Sequence, residues 1–260
     1  MPGFFYGLTF SRMPITLFPR LSVGNTKLGK ILNWNLPARV TCPGKSEYCE
    51  TVCYACTRLY KYENVKESYK NRRKARNKPG WVNDMIARIN ASETKVVRIH
   101  ASGDFDSLKY INNWNKIVQG CPGTTFYFYT RSWVVENLLE PLKKLAREPN
   151  VFAWFSCDRS MPVPPKPANV RLAYMSMDDF DEPKYKVDLV FRVKHKTVRK
   201  RMGQYSSLVC PVEQGVDSKV QLTCEKCKIC FSNYKTNRQP RNLQNATVSN
   251  RGLRALFVHV

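Results

Sequence analysis

Apolar residues along the chain fall into short runs that alternate with helical stripes, and the alternation becomes regular from about position 96. Runs rich in β-branched and aromatic residues occupy 96–100, 124–129, 151–155, 170–174, 187–193 and 206–210. Each is bounded by Gly, Pro, Asn, Asp or charged residues, which predicts the strands of a parallel sheet. Between the first two, Leu108, Ile111, Ile117 and Val118 recur at helical spacing over 108–119, with Ser107 placed as an N-cap and Gly120 as a stop. Val134, Leu138, Leu142 and Leu145 repeat the pattern before the third strand, and Pro141 within it predicts a kink or a split helix. Upstream, 62–90 reads as one or two helices interrupted near Pro79 and Gly80, with Trp81, Met85 and Ile89 as the buried stripe of the second. The rhythm is β-α-β-α-β.

Residues 1–30 mix apolar and basic positions with Gly24, Asn25 and Gly29, and read as an irregular lead-in. Four prolines within 161–167 preclude a helix there, so the later crossovers are short and a complete eight-fold barrel is not expected. The fold class that fits is α/β, a partial or open (β/α) barrel. At 260 residues one domain is the simpler organisation, with a core over 1–205 and a cysteine-bearing segment over 206–260 packed on it.

Charge changes the picture next. The chain carries 43 Lys and Arg against 20 acids, a net charge of +23, so a polyanion is the natural partner. Between Arg58 and Lys78 nine basic residues face only Glu63 and Glu67, and 192–201 holds six basic residues and no acid. Over 219–254 eight more face only Glu225. Lys70, Arg72, Arg73, Lys74 and Arg76, with Lys196, Arg199, Lys200 and Arg201, are the candidate nucleic-acid contacts, DNA or RNA being undecided. The plainer reading of the first block is a solvated helical face. Positions 1–18 lack the unbroken apolar stretch of a secretory signal, and no run approaches the ~20 apolar residues that span a bilayer. A cytoplasmic location is therefore expected. In a reducing compartment the 10 cysteines are metal ligands or core residues rather than a disulfide framework.

Eight of them form two sets. Cys42, Cys49, Cys53 and Cys56 fall in TCPGKSEYCETVCYAC, whose last three make C-x3-C-x2-C. Three thiolates can wrap one corner of a 4Fe–4S cluster and leave the fourth iron open to an exogenous ligand; four thiolates suit zinc or a closed cluster equally well. Cys210, Cys224, Cys227 and Cys230 form C-x13-C-x2-C-x2-C, which closes a site with four ligands, either a second 4Fe–4S cluster or zinc. Cys121 and Cys157 stand alone and read as buried small hydrophobes.

The strand at 96–100 leads into Ser102-Gly103-Asp104, and at that point the chain resembles the radical-SAM superfamily. The resemblance places a three-cysteine loop after the first strand and a GGE-like motif after the second. It implies S-adenosylmethionine as a cofactor, with Gly103 and Asp104 receiving its amino group. The chain departs from the pattern in having Ala55 before the last cysteine and Cys42 as an extra donor. Beyond this, GNTKLGK, TCPG with a later CYA, VRIHASGDF, FYFYTRS, and a closing CP then CEKCKICF and LFVHV resemble an uncharacterised family of phage and plasmid proteins called gene product eighty-eight. That family implies a cysteine-rich, radical-SAM-like architecture with no established reaction, and puts Cys42, Cys49 and Cys53 in its shared pattern.

His100, Ser102, Gly103 and Asp104, Thr130 and Arg131, and Ser156 with Asp158 lie at the ends of successive expected strands, where ligand sites of α/β folds gather. Arg98 and His100 are expected to share a face of their strand. His259, in the last apolar run, is a core residue or a ligand. Asp178, Asp179, Asp181 and Glu182 read as a solvated loop before a magnesium site. The expected function is a radical-SAM-like iron–sulfur enzyme acting on nucleic acid or a nucleic-acid-bound target. The competing expectation is a non-enzymatic DNA- or RNA-binding protein stapled by structural zinc or iron–sulfur sites. A nickase with a paired-histidine metal site is disfavoured by the presence of only 3 histidines.

Overall fold

A computed structural model of the chain describes residues 18–178, 180–193, 203–214 and 222–233. Seven strands form one sheet whose spatial order is its sequence order: β1 (Ser22–Asn25), β2 (Gly29–Trp34), β3 (Val96–Ile99), β4 (Thr125–Thr130), β5 (Val151–Cys157), β6 (Val170–Ser176) and β7 (Leu189–Arg192). β1 is antiparallel to β2, and every later pairing is parallel. The helices are α1 (Glu47–Thr51), α2 (Glu63–Ala75), α3 (Trp81–Ala91), α4 (Leu108–Gln119), α5 (Glu136–Ala146), α6 (Pro211–Gln214) and α7 (Cys224–Cys227).

The parallel strands and their helices follow the apolar pattern closely. Ser107 and Gly120 stand at the two ends of α4, as their turn-forming chemistry predicts. Pro141 does not split α5, which continues through it as one element. Two expectations fail. The supposed lead-in contains β1 and the start of β2, joined by a turn in which Asn25 Oδ1 accepts from the N–H groups of Lys27 and Leu28 at 2.9 and 2.8 Å. The expected strand at 206–210 is instead a 3-10 helix over Gly203–Leu208, with only Val209 bridging to Val190.

Sequential parallel order requires every crossover to pass on the same side, so the helical layer covers one face of the sheet. That face is a continuous apolar core in which Val97, Ile99, Phe126, Phe128, Ala153, Phe155 and Leu172 meet the stripes of α3, α4 and α5. At its centre Trp81 packs on Trp34, Tyr110 and Trp114 with ring centroids 5.4, 5.9 and 5.9 Å apart. The alternate strand residues point the other way. Ile31, Tyr127, Trp154, Ala173 and Leu189 are covered by a second cluster built from Cys210, Val212, Cys224, Cys227, Ile229, Cys230 and Phe231. The described part of the C-terminal segment is thus a plug on the far face of the sheet.

The loop between β2 and α2 is drawn over the carboxyl ends of the strands by close backbone approach. A Cβ on Gly44 would lie 2.0 Å from the carbonyl oxygen of Arg131, and one on Gly103, at φ +80, would lie 2.6 Å from Leu36 Cβ and from Thr41 Oγ1. Gly103 therefore serves contact within the protein as well as its left-handed φ. Gly44→Ala is expected to cost about 3 kcal/mol, on the order of 10 °C in Tm. Gly123, which has no atom within 4 Å of a built Cβ, is the matched control, and Gly123→Ala should be neutral. Equal melting temperatures for the two variants would contradict the close approach.

Candidate functional site

The carboxyl ends of β2, β3, β4 and β5 meet at one edge of the sheet, stitched by polar side chains. After β2, Asn35 Oδ1 accepts from the backbone N–H of Ala101 at 2.7 Å and of Ser102 at 3.2 Å. Leu36 N donates to Ser102 O and Ser102 Oγ donates to Leu36 O, both at 2.9 Å. After β3, Asp104 is buried and accepts from Thr130 Oγ1 at 2.7 Å, from the N–H of Arg131 at 2.8 Å and from the N–H of Phe105 at 2.7 Å. Its own N–H donates to Thr41 O at 3.0 Å. Burial raises its pKa to about 6, while these donors pull the other way.

Beyond β4, Arg131 turns its guanidinium to Asp158 at the end of β5, with Nη1 2.6 Å from Oδ2 in a buried ion pair. Burial works against the Asp158 carboxylate, yet Arg131, Ser160 and Ser46 together hold it below its ordinary pKa. Ser46 donates to Asp158 and accepts from Cys49 N at 3.0 Å, so it caps α1 and ties the cysteine loop to the Arg131–Asp158 pair.

Cys42, Cys49, Cys53 and Cys56 are all half-buried around this edge, free of disulfides. Burial first, then the carboxylate of Asp104 and the thiols of Cys49 and Cys53, raise the Cys42 pKa. Cys49 is raised by burial and eased by Arg131. Cys53 is pushed up to about 11 by burial and by Cys56 beside it. Cys42 and Cys49 therefore share one electrostatic neighbourhood with Asp104, and Cys53 lies between Cys49 and Cys56 in the same loop. Among the described residues no three His, Cys, Asp or Glu side chains are gathered into a metal-ligating group.

The remaining sequence candidates separate. His100 does not share a face with Arg98, because its φ of +67 breaks the alternation of the strand. Its Nε2 meets Tyr110 OH at 2.8 Å and its ring packs on Phe105, on the helical side of the sheet. Burial, then Arg76 and Arg98, hold its pKa well below the ordinary value, so it stays neutral. Ser156 faces away from the helices, and its carbonyl accepts from Trp133 Nε1 at 2.9 Å. Asp181 is buried and accepts from Tyr174 OH and Met177 N at 2.6 and 2.7 Å, while Asp178 pairs with Arg159, so these two acids serve the turn after β6. Asp179 and His259 lie outside the described residues.

The basic candidates on α2 are only partly available. Arg72 and Arg76, both candidate nucleic-acid contacts, are turned into the core. Arg72 donates to Arg20 O and Ser22 Oγ and lies over Trp34 and Tyr69, and Arg76 pairs with Asp106 at 2.6 Å over the Tyr110 ring. The reason is register, since both fall on the stripe with Ala75 that packs against the body of the protein. Lys70, Arg73 and Lys74 face solvent. Lys196, Arg199, Lys200 and Arg201 lie outside the described residues.

The second cysteine set is built differently. Cys210, Cys224, Cys227 and Cys230 are all buried on the far face of the sheet. The turn between β1 and β2 holds α7, with Cys224 N donating to Lys27 O and Glu225 N to Leu28 O at 2.8 and 3.1 Å. Trp154 Nε1 donates to Cys230 O at 2.9 Å, and Arg171 donates to Ile229 O and Ser232 O at 3.0 and 2.6 Å. Tyr129 OH contacts Cys230 Sγ at 2.9 Å. Burial pushes Cys227 up to about 11 and Cys230 up to about 12, the nearby Cys224 thiol raising both further. Arg98 and Lys27 act on Cys224 in the opposite sense. Sequence reasoning missed Tyr129, Lys27 and Arg98 as neighbours of this set. The alternation in FYFYT places Tyr127 and Tyr129 on one face, but nothing in it says what covers that face.

This fold and its two cysteine sets define a parallel α/β protein with one thiol-rich site at its strand ends and another beneath its sheet. The chain belongs to the Gene product 88 family, whose model matches residues 19–233. No curated protein and no solved structure matches it. Among the described residues no helix is long and apolar enough to cross a membrane.

The buried Asp104 makes a pH prediction for the metal-free chain. Its folded pKa of about 6 lies above the unfolded value, so the native state binds more protons between pH ~4 and ~6 and Asp104 costs stability as pH rises through that window. Denaturant unfolding of wild type and Asp104→Asn should show the stability difference between them shrinking from pH 4 to pH 6. Asp104→Asn should remain destabilised by about 1–3 kcal/mol at pH 4, because the Asn amide cannot accept every hydrogen bond. A pH-independent difference would contradict the buried carboxylate.

Proposed function

We propose that the chain is an iron–sulfur enzyme of radical-SAM-like build, acting on nucleic acid or on a nucleic-acid-bound target. The observation that carries this reading is the contrast between the two cysteine sets: the first half-buried at the carboxyl ends of parallel strands, the second buried beneath the sheet. Access from outside suits a site that takes a cofactor and a substrate, and full burial suits a closed site that is structural or passes electrons.

The sequential order of β2 to β7 supports a partial barrel, with the cysteine loop after its first parallel strand and Ser102-Gly103-Asp104 after its second. Cys42, Cys49 and Cys53, the three cysteines in the pattern the family resemblance implies, would hold the open cluster, half-buried at the strand ends. When bound, a cluster with one open iron supplies the electron for reductive cleavage of S-adenosylmethionine. Asp104, whose oxygens already accept three hydrogen bonds, acts as a positioning residue that keeps the loop on the strand ends. Ser102, Gly103, Thr130 and Arg131 would border the edge where the cofactor would lie, and His100, neutral and bonded to Tyr110, would support it from behind.

Cys210, Cys224, Cys227 and Cys230 would close the second site around a 4Fe–4S cluster or zinc. Four thiolates outweigh a divalent ion, so such a site is anionic, and Arg98 is placed to offset it, with the Lys27–Glu213 ion pair beside it. Tyr129 OH would donate to the Cys230 thiolate, the outer-shell role that fixes a ligand and tunes its metal. The exposed Lys70, Arg73 and Lys74 would supply sequence-independent attraction to phosphates.

The test is iron and labile sulfide analysis of protein purified without oxygen, with assay of S-adenosylmethionine cleavage after reduction. About eight irons per chain, falling by about half in Cys53→Ala and in Cys227→Ala, are expected. Cys42→Ala should lose the open cluster, whereas Cys56→Ala should keep it and the cleavage activity. Two zinc ions without sulfide would overturn the enzyme and favour a zinc-stapled nucleic-acid-binding protein.

A further inference from the structure

We infer that Cys53 and Cys56 form a redox-active dithiol that exchanges with small disulfides and closes to a Cys53–Cys56 disulfide. The pair sits in Cys53-Tyr54-Ala55-Cys56, a C-x2-C turn between α1 and α2. Cys56 N donates to Cys53 O at 3.0 Å, and the short 3-10 turn Tyr54–Cys56 starts from Cys53 as its N-cap. A turn closed by that bond holds its first and last Cα atoms within about 7 Å, inside the reach of a disulfide. The side chains also meet, for the Cys53 thiol is hydrogen-bonded to that of Cys56, which acts on it more strongly than Cys49 does.

Two further features suit exchange. The pair can be reached: both thiols are half-buried and free, and Tyr54 between them is 56 % exposed. The turn is also anchored, with Tyr54 OH donating to Ala101 O just beyond β3 and Thr57 Oγ1 donating to Tyr54 O at 2.8 Å. The bond therefore closes within a turn already shaped for it and leaves the loop on the strand ends. The same C-x2-C spacing recurs in Cys224–Cys227 and Cys227–Cys230, but those thiols are buried beneath the sheet. Access separates the reactive pair from the two that share its spacing.

The oxidant is a low-molecular-weight disulfide such as oxidised glutathione. One thiolate of the pair attacks a sulfur of the oxidant, forms a mixed disulfide and releases one small thiolate. The second protein thiolate attacks the protein sulfur of that mixed disulfide, closes the Cys53–Cys56 bond and releases the other. The pair gives up two electrons to the oxidant, and the two protein protons end on two small thiols. A regulatory consequence follows, and it rests on the reading of Cys53 as a ligand of the open cluster. Closure takes one of the three thiolates out of ligation, since a metal needs the free thiolate. The redox state of the pair then decides whether the exposed site holds its cluster, while the buried site is untouched.

In the first test the full chain is chelated, reduced, freed of reductant and incubated with oxidised glutathione. Its thiols are then mapped by mass spectrometry after unfolding and alkylation of those that stay free. The expected result is an internal Cys53–Cys56 disulfide while Cys210, Cys224, Cys227 and Cys230 keep free thiols, and no internal bond in this loop in Cys56→Ala. Pairing of Cys49 with Cys53, glutathione adducts that never resolve to an internal bond, or earlier pairing within the buried set would overturn the proposal. The second test treats iron-loaded protein, purified without oxygen, with the same oxidant and measures retained iron. Wild type should lose about half of its iron and Cys56→Ala should keep it. Equal loss from both proteins would overturn the regulatory step. A chain that forms the disulfide yet never carries iron at the first site contradicts the open cluster and still supports the dithiol.

Discussion

The strand ends are held together by one buried carboxylate. Asp104 draws in the hydroxyl of Thr130 and the N–H of Arg131 from β4, and its own N–H fixes Thr41 of the cysteine loop. Because a buried carboxylate is expensive unless its oxygens are engaged, this bonding leaves the loop little choice of position. The backbone contacts at Gly44 and Gly103 then close the remaining gap, and Ser46 carries the same order on to Asp158 and Cys49. A short, irregular, cysteine-rich loop thereby becomes part of the sheet edge.

The sheet separates two chemistries. Its helical side is a dry aromatic core, and even His100 is recruited to it. Its other side is covered by a segment whose apolar residues are interleaved with four thiols, held by donors from β4, β5 and β6 and by the β1–β2 turn. Arg98 and the Lys27–Glu213 ion pair stand beside Cys224. Open thiols at the edge and closed thiols beneath come from one topology, because a sequential parallel sheet leaves one face free of crossover helices.

Most of this architecture was legible where periodicity is strong. The stripes at Leu108 to Val118 and Trp81 to Ile89, and the aromatic run FYFYT, dictate their elements through burial, and the structure differs from them by a residue or two. The β1–β2 hairpin was missed because GNTKLGK presents a turn without an apolar run on its first strand. The segment at 206–210 was misread because a β-rich composition also suits a buried 3-10 helix that touches the sheet through Val209. Cysteine spacing identified the two sets without ordering Cys42 against Cys56, which depends on how the loop folds over Asp104. The roles of Arg72 and Arg76 were illegible for a related reason: a cation's partner, here Trp34 or Asp106, is distant in sequence.

The central claim is that one fold keeps one cysteine set open and the other closed. Timed alkylation of the folded, reduced chain after chelation, with each cysteine followed by mass spectrometry, tests it most directly, the buried Cys121 and Cys157 serving as internal references. The account predicts that Cys42, Cys49, Cys53 and Cys56 are modified first, and that Cys210, Cys224, Cys227 and Cys230 react only as slowly as the two references. Modification of both sets at the same rate, or of the second set first, would contradict it.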